Sequence, residues 1–145
     1  MIAIREGDID EVVSLMQELP EFINPYSKED LKKRLLTANL MLVAEMDEQL
    51  VGFKCGYERD SGTKKFYSWL GGVLPRYRNK GVAESLLKKM EEWCLERGYE
   101  VLEFKTLNEH KVMLIFAIKN GFEIVDVRYS EKDDRKRIVL QKELT

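Results

Sequence analysis

A single histidine and two widely separated cysteines leave this chain of 145 residues short of ligands for any zinc template, so no metal is expected. With only three prolines and no low-complexity tract, a disordered or fibrous chain is excluded. The 44% of hydrophobic residues instead points to a folded globular one. Long hydrophobic runs are missing: a membrane span needs ~20 apolar residues, whereas the longest run, "VMLIFAI" from Val112, has seven. An excess of positive charge is missing too. A formal charge of −2 and a pI near 5.6 argue against nucleic acid as the main partner, because phosphate binding wants a basic face. The start, "MIAIREGDIDE", is charged too early for a secretory h-region. A cytoplasmic location without membrane partners is therefore expected, with Cys55 and Cys94 as buried free thiols rather than a disulfide.

The length suits one domain, residues 1–145, around one core. "MIAIRE" reads as a strand, and Asp8 with Glu11 three residues later opens a helix as a capping box. Ile9, Val12, Val13, Met16 and Leu19 recur at helical spacing. After the loop "PEFINPY", Ser27 and Asp30 cap a second helix. "LMLVAEMDEQLVGFKCGYE" is two apolar runs either side of Asp47, Glu48 and Gln49, a β-hairpin, and "FYSWLGGVLP" is a third long strand. From Ala83 the rhythm becomes helical, with Leu86, Leu87, Met90, Trp93 and Cys94 on one stripe and Gly98 as the stop. "EVLEFKT" is a strand, "HKVMLIFAIKN" a helix closed by Gly121, and "FEIVDVRY" and "RIVLQKEL" are strands about the charged turn "SEKDDRK". The order is β-α-α-β-β-β-α-β-α-β-β. A strand, a four-turn helix and a strand form a crossover, so those two strands should be parallel in an otherwise antiparallel sheet.

The best helix begins oddly. Ahead of it stand Arg78, Asn79, Lys80 and Gly81, with no acidic or hydroxyl cap, although the helix dipole already makes that end positive. A loop of small and cationic residues between a strand and a helix N-terminus offers converging N–H groups to an anion. Taken alone, the stretch reads as simply a solvated basic turn, and neither dinucleotide nor P-loop phosphate motifs occur.

The wider context, "VLPRYRNKGVAESLL", closely resembles the signature of the GNAT superfamily of N-acetyltransferases. Arg78, Gly81 and Ala83 match its [RQ]-x-x-G-x-[GA] core. "TLNEHKVMLIFAIKNGFE" is similar to that family's next motif, with Asn108 after the strand and Gly121-Phe122 closing the helix. The resemblance implies an α/β (α+β) domain with a mixed, splayed sheet and helices on both faces. It implies an N-acetyltransferase that moves an acetyl group directly from acetyl-coenzyme A, its cosubstrate, to a primary amine in a ternary complex. The cofactor would enter between the strands before Pro75 and after Tyr99. Its pantetheine arm would pair near Val73, and its pyrophosphate would sit on Arg78, Asn79, Lys80, Gly81, Val82 and Ala83, with Asn108 nearby. Glu21 and Tyr26, in the loop that lines the acceptor site in this family, together with Tyr67 and Trp69, are candidate acceptor contacts. A non-catalytic coenzyme A-binding sensor and an unrelated anion-binding domain are the alternatives, and a homodimer is compatible with the family.

Other residues carry weaker expectations. Gly71 and Gly72 mark a bulge or a close approach, and a main-chain N–H there is a candidate donor to the thioester oxygen. Alternation puts Gly71 on the face of Tyr67 and Trp69. His110 reads as a helix-start surface residue and Glu103 as polar-face. Many relatives protonate the leaving thiolate with a Tyr four residues before the closing Gly-Phe pair. Here that position is Ala117, between Phe116 and Ile118. Tyr67 aligns with a Glu base of some relatives, and a phenol is a poor base at neutral pH. No dedicated acid or base is identified, so positioning and main-chain electrostatics are expected to carry catalysis, and no single side chain is expected to matter more than about a hundredfold.

Overall fold

Each of the first two helices starts where its capping box is written. Asp8 Oδ1 accepts from the Glu11 N–H at 2.9 Å while Glu11 answers to the Asp8 N–H at 3.0 Å, and Ser27 and Asp30 repeat the exchange. The computed structural model of the chain describes residues 1–130 and 133–145. Its elements are β1 (Ala3–Glu6), α1 (Ile9–Glu18), α2 (Lys28–Arg34), β2 (Asn39–Met46), β3 (Gln49–Tyr57), β4 (Lys65–Val73), α3 (Val82–Glu96), β5 (Val101–Leu107), α4 (Lys111–Lys119), β6 (Glu123–Tyr129) and β7 (Lys136–Glu143). That is the expected order, with one short 3-10 turn, Pro75–Tyr77, added between β4 and α3. Glu131 and Lys132, part of the anticipated charged turn, lie outside the described residues.

The strands form one seven-stranded sheet in the order β1-β2-β3-β4-β5-β7-β6. Every pairing is antiparallel except β4 with β5, the two ends of the α3 crossover. Asp47 and Glu48 turn the β2–β3 hairpin with φ of 52° and 61°, the left-handed pair that matches strand twist. On one face Val12, Leu15, Met16 and Leu19 of the α1 segment and Leu31 of α2 pack on Val43 and Phe53. On the other, Leu86, Leu87 and Met90 of α3 and Leu114 of α4 pack on Leu40, Leu42 and Leu102. Cys55 and Cys94 are free and buried in opposite clusters, and burial pushes both thiols up to about 12, where they stay protonated. Among the described residues no helix is long and apolar enough to cross a membrane.

Two departures from regularity position the site. First, β4 and β5 pair only at Lys65–Val101, Phe66–Leu102 and Tyr67–Glu103, and beyond this vertex they part. Second, β4 is bulged: Gly56 faces Ser68 and Cys55 faces Leu70, leaving Trp69 as the extra residue. The bulge therefore sits ahead of the glycine pair. It also overturns the simple alternation. Trp69 and Leu70 both turn toward α1 and α2, as does Gly72, whose added Cβ would lie 2.5 Å from Leu19 Cδ1. Gly71 is on the opposite face from Trp69 and Tyr67, beside Lys54, with Val73 in the α3 cluster. Gly72 is the close approach that the sequence suggested.

Candidate active site

The wide end of the gap is closed by the basic loop. Asn79 and Gly81 both adopt left-handed φ, 61° and 86°, and Gly81 caps α3 without a side chain. Successive main-chain N–H groups thereby turn to one side. Asn79, Lys80 and Gly81 donate to nothing among the described residues, and helix geometry leaves Val82, Ala83 and Glu84 without intrahelical acceptors; the first such bond is Ser85 N–H to the Gly81 carbonyl at 3.0 Å. This concentration of donors fits an anion of pyrophosphate type. Arg78 has partners within the fold. Its Nε donates to the Val73 carbonyl at 2.9 Å and its Nη2 to Glu21 at 2.7 Å, so its charge is partly answered. Glu21, expected near the acceptor, is brought to this loop instead.

Along the gap, β4 main-chain groups face away from β3, and of those at Val73 and Gly71 only the Val73 carbonyl is taken among the described residues, by Arg78 Nε. Leu74 N–H bonds to the Val51 carbonyl of β3, so alternation aims the polar groups of Val73 and Gly71 away from β3, toward the space β5 has left. Gly71 is exposed there. Asn108 lies past the end of β5, where its N–H donates to the Lys136 carbonyl at 2.9 Å and its Oδ1 accepts from Lys111 Nζ at 3.3 Å. His110 is exposed at the start of α4, a surface residue as expected.

At the vertex, on the α3–α4 face, lies a small cavity of about 20 Å³ lined by Lys54, Ser68, Leu87, Phe104, Phe116 and Ala117, among others. Ser68 and Phe104 are the first residues of β4 and β5 beyond their last pair. Lys54 projects from the middle of β3, between buried Phe53 and Cys55, and makes no hydrogen bond or ion pair among the described residues. Burial lowers its ammonium from 10.5 to about 8. The sequence reading passed over it, although a lone charge inside "VGFKCGY" was the available signal.

A displaced lysine has a thermodynamic consequence. Below pH 8 Lys54 is protonated folded and unfolded, so the full burial penalty opposes folding. Between 8 and 10.5 only the folded form sheds the proton and the penalty fades. That displacement corresponds to about 3 kcal/mol, and contact of the amine with the open cavity reduces the expectation to about 2 kcal/mol. Lys54→Met should therefore unfold at higher denaturant at pH 7, with the advantage gone above the upper pKa. An unchanged midpoint at pH 7 would refute the burial.

On the α1–α2 face, Trp69 joins Tyr26 at 5.0 Å and Tyr57 at 5.7 Å, and Tyr57 in turn meets Tyr67 at 5.6 Å. Tyr26 and Trp69, with Asp30, Lys33 and Arg34, line a pocket of about 310 Å³. Three of the four expected acceptor residues thus come together, and Glu21 does not. Arg34 lies over Trp69 and donates to the Tyr57 hydroxyl at 3.3 Å. Burial raises the Tyr67 hydroxyl above its ordinary value, which makes it a still less available base at neutral pH. Glu103, opposite Tyr67, is held by Gln141 at 2.6 Å and faces Arg59 at 3.8 Å.

A parallel pair that parts beside a bulge, above a loop of free N–H groups at a helix start, defines an acyl-coenzyme A transferase fold. The chain belongs to the acetyltransferase (GNAT) family, whose model matches residues 9–122. Its fold is similar to that of the ribosomal-protein-S18-alanine N-acetyltransferase from Escherichia coli, at 13% identity and a TM-score of 0.84 over 100% of this chain and 95% of that one. It is also similar to the PaiA N-acetyltransferase from Thermoplasma acidophilum, solved with coenzyme A, at 21% identity and a TM-score of 0.79 over 99% of each chain. A GNAT family acetyltransferase from Elizabethkingia anophelis, solved with acetyl-CoA bound, matches at 24% identity and 0.77, over 99% of this chain and 98% of that one.

Proposed function

We propose that this acetyltransferase moves the acetyl group of acetyl-coenzyme A directly onto a primary amine, with both substrates bound together. The observation that carries the reading is the gap beyond Tyr67 and Glu103, with the N–H groups of Val73 and Gly71 facing it and free N–H groups at its wide end. The pantetheine arm would lie there as an added strand against Val73 and Gly71, and the pyrophosphate on the loop from Arg78 to Ala83. The amine would enter from the aromatic pocket on the opposite face, passing Trp69 and Tyr67. The Gly71 N–H, exposed at the gap, suits the oxygen of the thioester, on which charge develops as the amine attacks.

Among the described residues the acceptor face offers no strong base: Asp30, in the pocket wall, is held below the usual carboxylate range by the Ser27 N–H. The charge of Glu103 is engaged by Gln141 and Arg59, and the Tyr67 hydroxyl is held protonated by burial. The amine must therefore arrive neutral, and turnover should rise with pH as the acceptor sheds its proton. Removing Tyr67, Trp69, Glu21 or His110 singly should slow turnover at saturating acetyl-coenzyme A by no more than about a hundredfold. One of these substitutions abolishing turnover with both substrates still bound would reveal a dedicated group.

Release of free thiol from acetyl-coenzyme A, screened across amino acids, polyamines, peptide N-termini and lysine peptides, tests the function itself. Coenzyme A binding without turnover on any amine would favour a sensor module instead.

A further inference from the structure

We propose that Lys54 is the acid that protonates the coenzyme A thiolate as it leaves. The inference rests on the acetyl-transfer reading above. Three independent features of the fold converge on this side chain.

The first is place. The Lys54 backbone stands opposite Gly71 in the β3–β4 ladder, and its side chain lines the cavity on the α3–α4 face of the sheet. The two are neighbours on that face: a Cβ at Gly71 would be in ordinary contact with Lys54 Cγ, at 3.7 Å. A thioester with its oxygen on the Gly71 N–H has its sulfur one bond from the carbonyl carbon, in the same crowded vertex that the amine reaches.

The second is want of a partner. From α3 the nearest charge is Glu91, whose carboxylate is held by Lys142 of β7 at 2.9 Å. From β4 comes Ser68, whose hydroxyl also lacks a partner among the described residues. The cavity walls contributed by β5 and α4 are Phe104, Met113, Phe116 and Ala117, which are apolar. Cys55, adjacent on β3, is protonated and turned to the other face. A half-buried ammonium among such walls, with no partner among the described residues, suits a negative ligand. The third is chemistry. The lowered ammonium remains largely protonated at neutral pH, yet is acidic enough to give its proton to a thiolate of ordinary basicity.

The step balances. The amine lone pair forms the C–N bond as the carbonyl pair moves to oxygen. When that pair returns, the C–S bond breaks with its electrons on sulfur. A proton passes from Lys54 Nζ to sulfur, giving free thiol and a neutral lysine. Water carries the proton lost by the new amide nitrogen back to Lys54.

Two measurements test the assignment on the intact protein. The first needs no turnover: titrate the thiol of bound coenzyme A by its thiolate absorbance. The Lys54 ammonium should lower that thiol's pKa, and Lys54→Met should raise it by about one unit or more. An identical thiol titration in the two proteins overturns the proposal, whether or not any amine is acetylated. If Lys54→Met moves the titration while wild type acetylates no amine, the position of Lys54 stands and the acetyl-transfer reading falls.

The second is kinetic, with an amine that wild type accepts. Lys54→Met should bind coenzyme A normally and lose about a hundredfold or more in kcat. In wild type the rise with pH should turn into a fall once Lys54 loses its proton, and that fall should vanish in the variant. Lys54→Cys alkylated with 2-bromoethylamine, which rebuilds an amine at that position, should regain much of the rate, since Cys55 and Cys94 are buried. Full kcat in Lys54→Met, or an acetyl group found on Lys54 during turnover, would assign the residue no proton-donor role.

Discussion

Gly81→Asp should leave a folded protein that no longer binds coenzyme A. Gly81 has a φ of 86°, which Asp tolerates better than most residues, and an added Cβ meets only Ile2 Cδ1 at 4.0 Å. The new carboxylate would also cap α3, which has no side-chain cap now. Backbone strain and cap should nearly cancel, so thermal unfolding should hardly move. Binding is another matter, because the carboxylate takes the place of the anion. One such charge roughly 4 Å from a phosphate charge is unfavourable by about 4 kcal/mol at surface-like screening, or about a thousandfold in affinity. Gly81→Asn separates the causes, being close in shape but neutral, and should retain much more affinity. Arg78→Ala should weaken binding by about tenfold at most, since its guanidinium is already shared between Val73 and Glu21. Calorimetry showing wild-type affinity in Gly81→Asp would remove the phosphate loop from the site.

Gly56→Ala should be the most destabilising single-methyl change in the sheet. A Cβ at Gly56 would stand 2.4 Å from the Phe66 ring and 2.7 Å from the Tyr67 carbonyl oxygen, with Met90 Cε at 3.1 Å. The oxygen belongs to the backbone of the bulged strand and cannot step aside. Phe66 is no freer, wedged at 5.1 Å from both Trp93 and Tyr99. Overpacking of this kind costs about 3 kcal/mol or more. Because Gly56 faces Ser68 across the bulge, any relief would shift Ser68 and Trp69, and with them both cavities. Urea unfolding that places Gly56→Ala within about 1 kcal/mol of wild type would contradict this packing.

Elements with strong local signals were readable from sequence. The capping boxes at Asp8 and Ser27, the Asp47-Glu48 turn and the stripe of α3 each report on residues within one turn of themselves, and the structure has them in place. The parallel β4–β5 pair followed from chain geometry alone. What escaped were features set by two strands at once. The unpaired Trp69 exists only in the register of β4 against β3, so alternation put Gly71 on the wrong face. Arg78 and Glu21 lie 57 positions apart, and nothing in either neighbourhood announces their contact. Lys54 was visible as a charge in an apolar strand, but its purpose depends on Ala117 and Ser68 meeting it from other elements.

Among the described residues, three ladder pairs, with the Lys64 carbonyl just ahead of them, join the four strands β1 to β4 to the three strands β5, β7 and β6. Mechanically the sheet is a hinge with a short seam, strapped across by α3. Pulled from opposite edges, it would tear at Tyr67 before any antiparallel ladder yielded, and the amides beside the seam should exchange with solvent faster than those of β2 and β3. A strand-like ligand laid in the gap would act as a suture, adding the hydrogen bonds that the two halves withhold from each other. The stiffness of the protein should then rise and fall with each filling and emptying of its cleft.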